Sequence, residues 1–131
     1  IPAVPLIPLD ATAISADPDV VAAYLADPLV HVRPIRVRMA AELAQAAVEA
    51  RRALPDLRVP YLALHGGADR LTLPGAAQII RDEAGNPDLE VRTYAGLYHE
   101  IHNEPQQAEV LADIVGWLDA RVPEQAPGGL L

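Results

Sequence analysis

The spacing of hydrophobic residues predicts helices in the first half of this chain and alternating strands and helices in the second. Apolar and small residues recur every three or four positions from about Ile35 to Leu54, which predicts an amphipathic helix ended by Pro55. An uninterrupted apolar run from Val59 to Leu64 predicts a buried strand. Residues 89–94 alternate apolar and charged side chains, as a strand near a sheet edge does.

Two further helices are predicted around that second strand. The first extends from about Pro74 to Glu83, and the second follows an N-cap at Asn103 and ends near Arg121. Its apolar stripe consists of Val110, Leu111, Ile114, Val115, Leu118 and Val122. Its acidic residues are interpreted as a solvated face, namely Glu100, Glu104, Glu109, Asp113 and Asp119.

The N-terminal residues are rich in proline and show few strand signals. Prolines at positions 2, 5, 8 and 18 favour an extended path. Asp17 is a suitable N-cap, with Pro18 at the first helical position, for a short helix that stops at Asp27-Pro28. We expect residues 123–131 to be a frayed tail.

Two strands cannot form a stable open sheet with both faces buried. The strand at 59–64 is apolar enough to require neighbours on both edges and helices on both faces. The predicted fold class is therefore α/β, with a parallel sheet that is incomplete on its own and that residues outside this chain complete.

Composition narrows the classes of function. The chain has 131 residues and a net charge of −8, and each of its ten basic residues is an arginine. This acidic balance gives no reason to expect nucleic acid as a partner. The absence of cysteine excludes disulfides, thiolate metal sites and a cysteine nucleophile, and the four histidines lack a metal-ligand spacing, so no metal is predicted. No segment is long and apolar enough for a membrane span, and the first residues do not resemble a signal peptide.

An acid and a base follow the two predicted strands where each strand ends. Asp69 comes after the glycine pair at 66–67, and His99 comes three residues after Gly96. Because carboxyl ends of parallel strands share one edge of the sheet, both side chains are expected at the ligand-binding edge. A carboxylate that orients an imidazole makes two thirds of a hydrolytic triad. From the residues alone, a turn-capping acid and a surface histidine remain alternatives.

Two motifs closely resemble the monoacylglycerol lipases of the α/β-hydrolase superfamily, namely Arg52-Ala53-Leu54-Pro55-Asp56-Leu57-Arg58-Val59-Pro60-Tyr61-Leu62-Ala63-Leu64-His65-Gly66-Gly67-Ala68-Asp69-Arg70-Leu71 and Tyr94-Ala95-Gly96-Leu97-Tyr98-His99. The earlier segments 14–18, 20–24 and 27–30 resemble the cap of the same enzymes. The resemblance covers about residues 6–122. It implies a cap segment at 1–57 and the C-terminal part of the core at 58–122, with the last two parallel strands of the sheet.

The resemblance also implies an activity and a set of site residues. The activity is hydrolysis of the ester of a monoacylglycerol by a serine hydrolase that needs no cofactor. Asp69 matches the triad acid and His99 the triad base, and their order along the chain agrees with the superfamily. Positions that line the acyl or glycerol site in the family correspond to Tyr24, Val30, Leu71 and His102. On composition alone, the first three also fit buried apolar positions, and His102 fits a surface residue.

The other histidines and the only serine are interpreted as structural or exposed. His65 lies within the strand exit and His31 in a loop of the cap. Ser15 lacks flanking glycines and a preceding strand, and no Gly-x-Ser-x-Gly turn occurs in the sequence. We therefore expect the N-terminal half of the hydrolase, outside this chain, to supply the nucleophile, and this segment alone to be inactive.

Two alternatives to a monoacylglycerol lipase remain at this point. One is a lysophospholipase or short-chain carboxylesterase on the same fold. The other is a non-catalytic binding module that retains the acid and the histidine. The expected location is the cytoplasm or a membrane periphery, with contact to the membrane surface through the cap.

Overall fold

The helices and strands alternate along the chain as the α/β pattern requires, with a small additional antiparallel pair near the N-terminus. The computed structural model describes residues 5–30, 33–73 and 75–122. Its elements in chain order are β1 (Pro5–Ile7), α1 (Pro18–Ala26), β2 (Ile35–Arg36), α2 (Val37–Ala53), β3 (Tyr61–Gly66), α3 (Gly75–Glu83), β4 (Leu89–Tyr94) and α4 (Gln107–Asp119). His31 and the predicted tail lie outside the described residues.

Strands β3 and β4 form a parallel pair joined by α3. The register pairs Tyr61 with Leu89 and Gly66 with Tyr94, so both strands end at the same level. Successive side chains of a strand point to opposite faces. Leu62 borders residues of α4, whereas Tyr61 borders residues of α2 and α3. Helices therefore lie on both faces of the two strands, as the sequence predicts, although an open groove remains on each face.

A buried hydrophobic cluster joins the end of β4 and the loop after it to α4. It consists of Tyr94, Leu97, Ile101 and Val110, with Leu64 and Ile114 packed against it. At the rim of this contact the hydroxyl of Tyr94 donates a 2.7 Å hydrogen bond to Asp113 of α4. The second residue to bind this carboxylate is Arg92 of β4. The core therefore holds the end of β4 and the following loop against α4.

Much of the apolar surface of α4 stays exposed in this chain. Leu111, Val115 and Leu118 are 45–54% exposed, although they belong to the predicted apolar stripe. Leu111 and Leu118 line an open groove of about 680 Å³ that extends along the same face of β3 as Leu62. Burial of such a surface is strongly favourable, at roughly 25 cal/mol per Å². The sheet is thus incomplete on its own, as the two-strand argument predicts.

The helix α2 is equally uncovered. No residue of α2 is buried among the parts of the chain that the structure describes. Its small inner residues border a second open groove of about 480 Å³ shared with Tyr61 and with Ile79 and Ile80 of α3. The predicted amphipathic helix is present, but its inner face is only partly packed.

Three details of the sequence prediction are wrong. The first half contains the β1–β2 pair, which its prolines did not indicate. Helix α4 begins at Gln107 rather than after Asn103, because a 3-10 turn over Ile101–Asn103 intervenes. The acidic residues near α4 are not one solvated face, because Glu104 is buried and Asp113 is paired with β4.

The start of α1 agrees with its prediction. The side chain of Asp17 accepts a hydrogen bond from the backbone N–H of Asp19, and Pro18 occupies the first turn. None of the described helices is long and apolar enough to cross a lipid bilayer.

Candidate active site

Asp69 lies three residues beyond β3 and is buried at the end of the sheet, with 6% of its surface exposed. The turn that follows closes around its carboxylate. Oδ1 accepts hydrogen bonds from the backbone N–H of Leu71 at 2.7 Å and of Thr72 at 3.0 Å. Oδ2 accepts one from the Thr72 hydroxyl at 2.6 Å. Three hydrogen bonds from Leu71 and Thr72 thus fix the carboxylate in a single orientation.

His99 lies in the loop after β4 and meets this carboxylate. The loop turns at Gly96, whose φ of +85° falls in the left-handed region that favours glycine. His99 Nδ1 lies 2.9 Å from Asp69 Oδ2 and 3.4 Å from the Thr72 hydroxyl. Its side chain remains 39% exposed and borders the groove beside α4. The structure therefore brings Asp69 and His99 into direct contact across 30 positions of sequence.

The environment of Asp69 favours its ionised form. Burial raises the pKa of this carboxyl, but the hydrogen bonds from Thr72, His99 and the backbone N–H of Leu71 outweigh burial and hold the pKa well below its ordinary value. Asp69 is consequently a carboxylate at neutral pH. A carboxylate fixed beside Nδ1 favours the tautomer of His99 in which Nδ1 carries the proton and Nε2 is free to accept one.

His65 is a second imidazole close to the same carboxylate. It lies on β3, is mostly buried, and its Nε2 is 3.0 Å from the carbonyl oxygen of Thr72 and 3.5 Å from Asp69 Oδ2. These contacts brace the turn that carries Asp69. They agree with its interpretation as a structural residue of the strand exit.

The two loops that carry the acid and the histidine are bound to each other by the backbone. The N–H of Gly67 donates to the carbonyl of Tyr94 at 2.7 Å, and that of Ala68 donates to Leu97 at 2.9 Å. Gly66 permits this approach, because a Cβ at that position would overlap the carbonyl oxygens of Leu97 and Tyr98. The glycine pair therefore sets the distance between the loops.

Glu104 is a buried acid that the sequence analysis placed on the surface. Only 1% of its surface is exposed, and it accepts hydrogen bonds from the backbone N–H groups of Tyr98 and Ala16. These partners are backbone groups 6 and 88 positions away. Hydrophobic periodicity carries no signal for such contacts, and the following proline instead suggested the start of a helix.

Ser15 is buried in the same contact. Its hydroxyl donates to the carbonyl of Asn103 at 3.1 Å and accepts from the backbone N–H of Asp17 at 3.0 Å. Its oxygen is engaged in holding the chain before α1. This agrees with its exclusion as a nucleophile.

The remaining predicted site residues are spread more widely. His102 borders the same groove as His99, and Leu71 binds Asp69 through its backbone N–H. Tyr24 lies on α1 and Val30 in the turn after it, both half-buried. Among the described residues that line the groove at His99, neither Tyr24 nor Val30 occurs. The structure thus groups two of the four with the Asp69–His99 pair.

The described ranges contain no arrangement of side chains that could bind a metal ion. No group of three or more histidine, aspartate and glutamate residues there is placed to hold a metal ion. That the protein uses neither a metal nor an organic cofactor stays a prediction.

Comparison with known proteins shows that this chain is similar to one family of hydrolases. A family described as serine aminopeptidase, S33, matches residues 1–106. A monoacylglycerol lipase of Mycolicibacterium smegmatis is 39% identical over 121 residues, which are 89% of this chain and 42% of the lipase. The human monoglyceride lipase is 32% identical over 123 residues, 92% of this chain and 41% of that protein.

A solved structure has the same arrangement of elements. The crystal structure of Paleococcus ferrophilus monoacylglycerol lipase superimposes with a TM-score of 0.82 at 31% identity, covering 92% of this chain and 48% of the lipase chain. The chain therefore spans less than half the length of the relatives it matches.

Proposed function

This chain belongs to the serine aminopeptidase S33 family and is an α/β-hydrolase of the monoacylglycerol lipase type, and from that premise we propose that Asp69 and His99 are two members of a serine hydrolase triad. The observation that carries the proposal is the 2.9 Å contact between His99 Nδ1 and the buried Asp69 carboxylate. An acid and a base at the ends of adjacent parallel strands form the pair that acyl transfer by a serine requires.

The proposed roles follow from the nitrogen that Asp69 binds. With Nδ1 held by the carboxylate, Nε2 of His99 takes the proton from the attacking serine hydroxyl. His99 then returns this proton to the leaving alcohol, and an activated water releases the acid from the acyl-enzyme in a second step. Asp69 stays ionised throughout and stabilises the imidazolium, which its depressed pKa supports.

We place the nucleophile outside these 131 residues. Ser15 is the only serine of the chain, and its buried hydroxyl is already hydrogen-bonded on both sides. The N-terminal half of the hydrolase, on the same or a separate polypeptide, would supply the serine and cover the open groove along β3 and α4. The exposed apolar residues of this groove support the proposal, because they form the kind of surface that another part of the fold would cover.

The proposed substrate is a monoacylglycerol, cleaved to a fatty acid and glycerol. Its support is the similarity to lipases named for this substrate. Tyr24, Val30, Leu71 and His102 are proposed to contact it. The position of His102 on the groove shared with His99 agrees with a role near the reacting ester.

The proposal includes residues 1–57 as a cap segment and 58–122 as part of the hydrolase core. Contact of the cap with a membrane surface, and a cytoplasmic or peripheral location, stay predictions.

The substrate class is tested by turnover of the complete protein on a series of esters. We expect hydrolysis of long-chain monoacylglycerols to exceed hydrolysis of lysophospholipids and short-chain esters. Preference for either of those would assign the alternative activity on this fold. No turnover of any ester would favour the non-catalytic module.

The roles of the pair are tested by Asp69→Asn and His99→Ala in the same protein. Each is expected to lower kcat by about 10³-fold or more with folding intact, because the correct tautomer or the base is lost. Asp119→Asn provides a matched control for the first change, at an exposed acid near the end of α4. Unchanged turnover in either site variant would contradict the assigned role.

A further inference from the structure

Glu104 is a buried carboxylate for which the proposed reaction has no use. Its Oε1 accepts hydrogen bonds from the Tyr98 N–H at 2.9 Å and the Ala16 N–H at 3.1 Å, and Oε2 lies 3.2 Å from the Ala16 nitrogen. A buried charge is costly unless hydrogen bonds compensate it. Hydrogen bonds from two backbone N–H groups therefore compensate the burial of the Glu104 carboxylate.

One donor belongs to the loop of His99 and the other to the segment at 14–16. Tyr98 immediately precedes His99, and on the other side the N–H of Glu100 donates to the carbonyl of Ile14 at 2.8 Å. The backbone on either side of the histidine is thus held against residues 14–16. The hydroxyl of Ser15 adds a third link, to the carbonyl of Asn103.

The segment on the other side of this contact is itself well buried. Ala13, Ile14 and Ser15 are between 0% and 3% exposed, although most of the first half of the chain is not buried. Residues 13–15 are therefore packed into the protein, and the exposed Ala16 follows directly on them. Hydrogen bonds to a charged acceptor are about twice as strong as neutral ones, which makes Glu104 the strongest of the three links.

We propose that Glu104 is a positioning residue for His99, which binds the Tyr98 and Ala16 amides and so holds the histidine loop at hydrogen-bonding distance from Asp69. The inference rests on the proposed function, because it assigns a role within that reaction. Without the carboxylate, two backbone N–H groups lose their acceptor and the loop loses this link to the 14–16 segment. A shift of His99 by about 1 Å is enough to reduce catalysis by about 10²-fold.

The test separates positioning from mere structural support. In the complete protein, Glu104→Leu and Glu104→Gln are compared with wild type and with Glu109→Gln, the same substitution at an exposed glutamate of α4. Reactive sites are first counted by titrating each protein to completion with a fluorophosphonate. The kcat per titrated site and the KM are then measured on a soluble p-nitrophenyl ester.

The positioning role predicts a lower kcat per titrated site with little change in KM. We expect a reduction of about tenfold to a hundredfold for Glu104→Leu. Glu104→Gln should recover part of it, because its one carbonyl oxygen can still accept from both amides. Glu109→Gln should match wild type.

Fewer titrated sites that each turn over at the wild-type rate would show a merely structural role and overturn the inference. If Glu104→Leu fails to fold, Glu104→Gln decides alone, with a wild-type kcat per site against the inference and a lower one for it. A wild-type protein that neither titrates nor turns over would instead overturn the proposed function, and this inference with it.

Discussion

At the scale of single residues, the candidate site depends on close approach between two loops. Gly66 ends β3, and the carbonyl oxygens of Leu97 and Tyr98 pack where its side chain would be. Its backbone is not in the left-handed region, so space rather than conformation requires glycine here. Any side chain at this position would push the loop of His99 away from Asp69.

Substitution of Gly66 is therefore expected to reduce activity even when the added side chain is a single methyl group. Gly66→Ala should destabilise the protein by about 1–3 kcal/mol through overpacking and lower kcat by at least about tenfold. Gly75→Ala is the matched control, since a Cβ there meets nothing within 4 Å. Activity assays and thermal unfolding of both variants check this. A Gly66→Ala protein with wild-type kcat would contradict the proposed spacing.

The sequence predicted some of these residues but not others, and one physical reason explains the difference. Asp69 and His99 were predictable because strand ends have a sequence signal and parallel strands share an edge. Glu104 was not, because its partners are backbone amides, which every residue carries. The support of His99 by residues 14–16 is likewise a tertiary contact that leaves no local pattern.

At the scale of elements, the contact between β4 and α4 depends on a buried phenol. Burial and the hydrogen bond to Asp113 raise the pKa of Tyr94 from its ordinary 10.0 to about 12. A folded-state pKa above the unfolded value means that the stabilisation is fully present below pH 10.0 and is lost as pH rises to about 12. The folded protein therefore favours the neutral form of the Tyr94 phenol.

Tyr94→Phe is expected to remove this alkaline loss of stability. At neutral pH it should cost about 1 kcal/mol for the hydrogen bond to Asp113, whose carboxylate keeps its pairing with Arg92. Urea unfolding of the complete protein between pH 8 and 12 provides the measurement. Tyr61→Phe, at a half-buried tyrosine of β3, serves as control and should retain the wild-type slope. An equally steep alkaline loss in Tyr94→Phe would refute the assignment.

Most elements were predicted to within two residues, and the exceptions have identifiable causes. Hydrophobic spacing located α2 and β4, and an uninterrupted apolar run located β3. The β1–β2 pair is two or three residues long, too short to show a period of two. The start of α4 was misplaced because a 3-10 turn carries cap-like residues of its own.

At the scale of the whole molecule, the chain exposes surfaces that resemble a core. Two open grooves flank the β3–β4 pair, one against α4 and one against α2 and α3. The sequence predicted this incomplete sheet from strand number and apolar character, and the structure confirms it. Family membership, first indicated by the strand-end motifs, is confirmed by the match over residues 1–106. The division into cap and core stays a prediction.

The central claim is that Asp69 and His99 activate a serine that lies outside this chain. The most direct measurement is fluorophosphonate labelling of the complete protein, followed by peptide mapping of the adduct. We predict one labelled serine beyond residues 1–131, within a Gly-x-Ser-x-Gly turn, and labelling slowed by orders of magnitude in His99→Ala. Absence of any serine adduct, or an adduct on Ser15, would contradict the account.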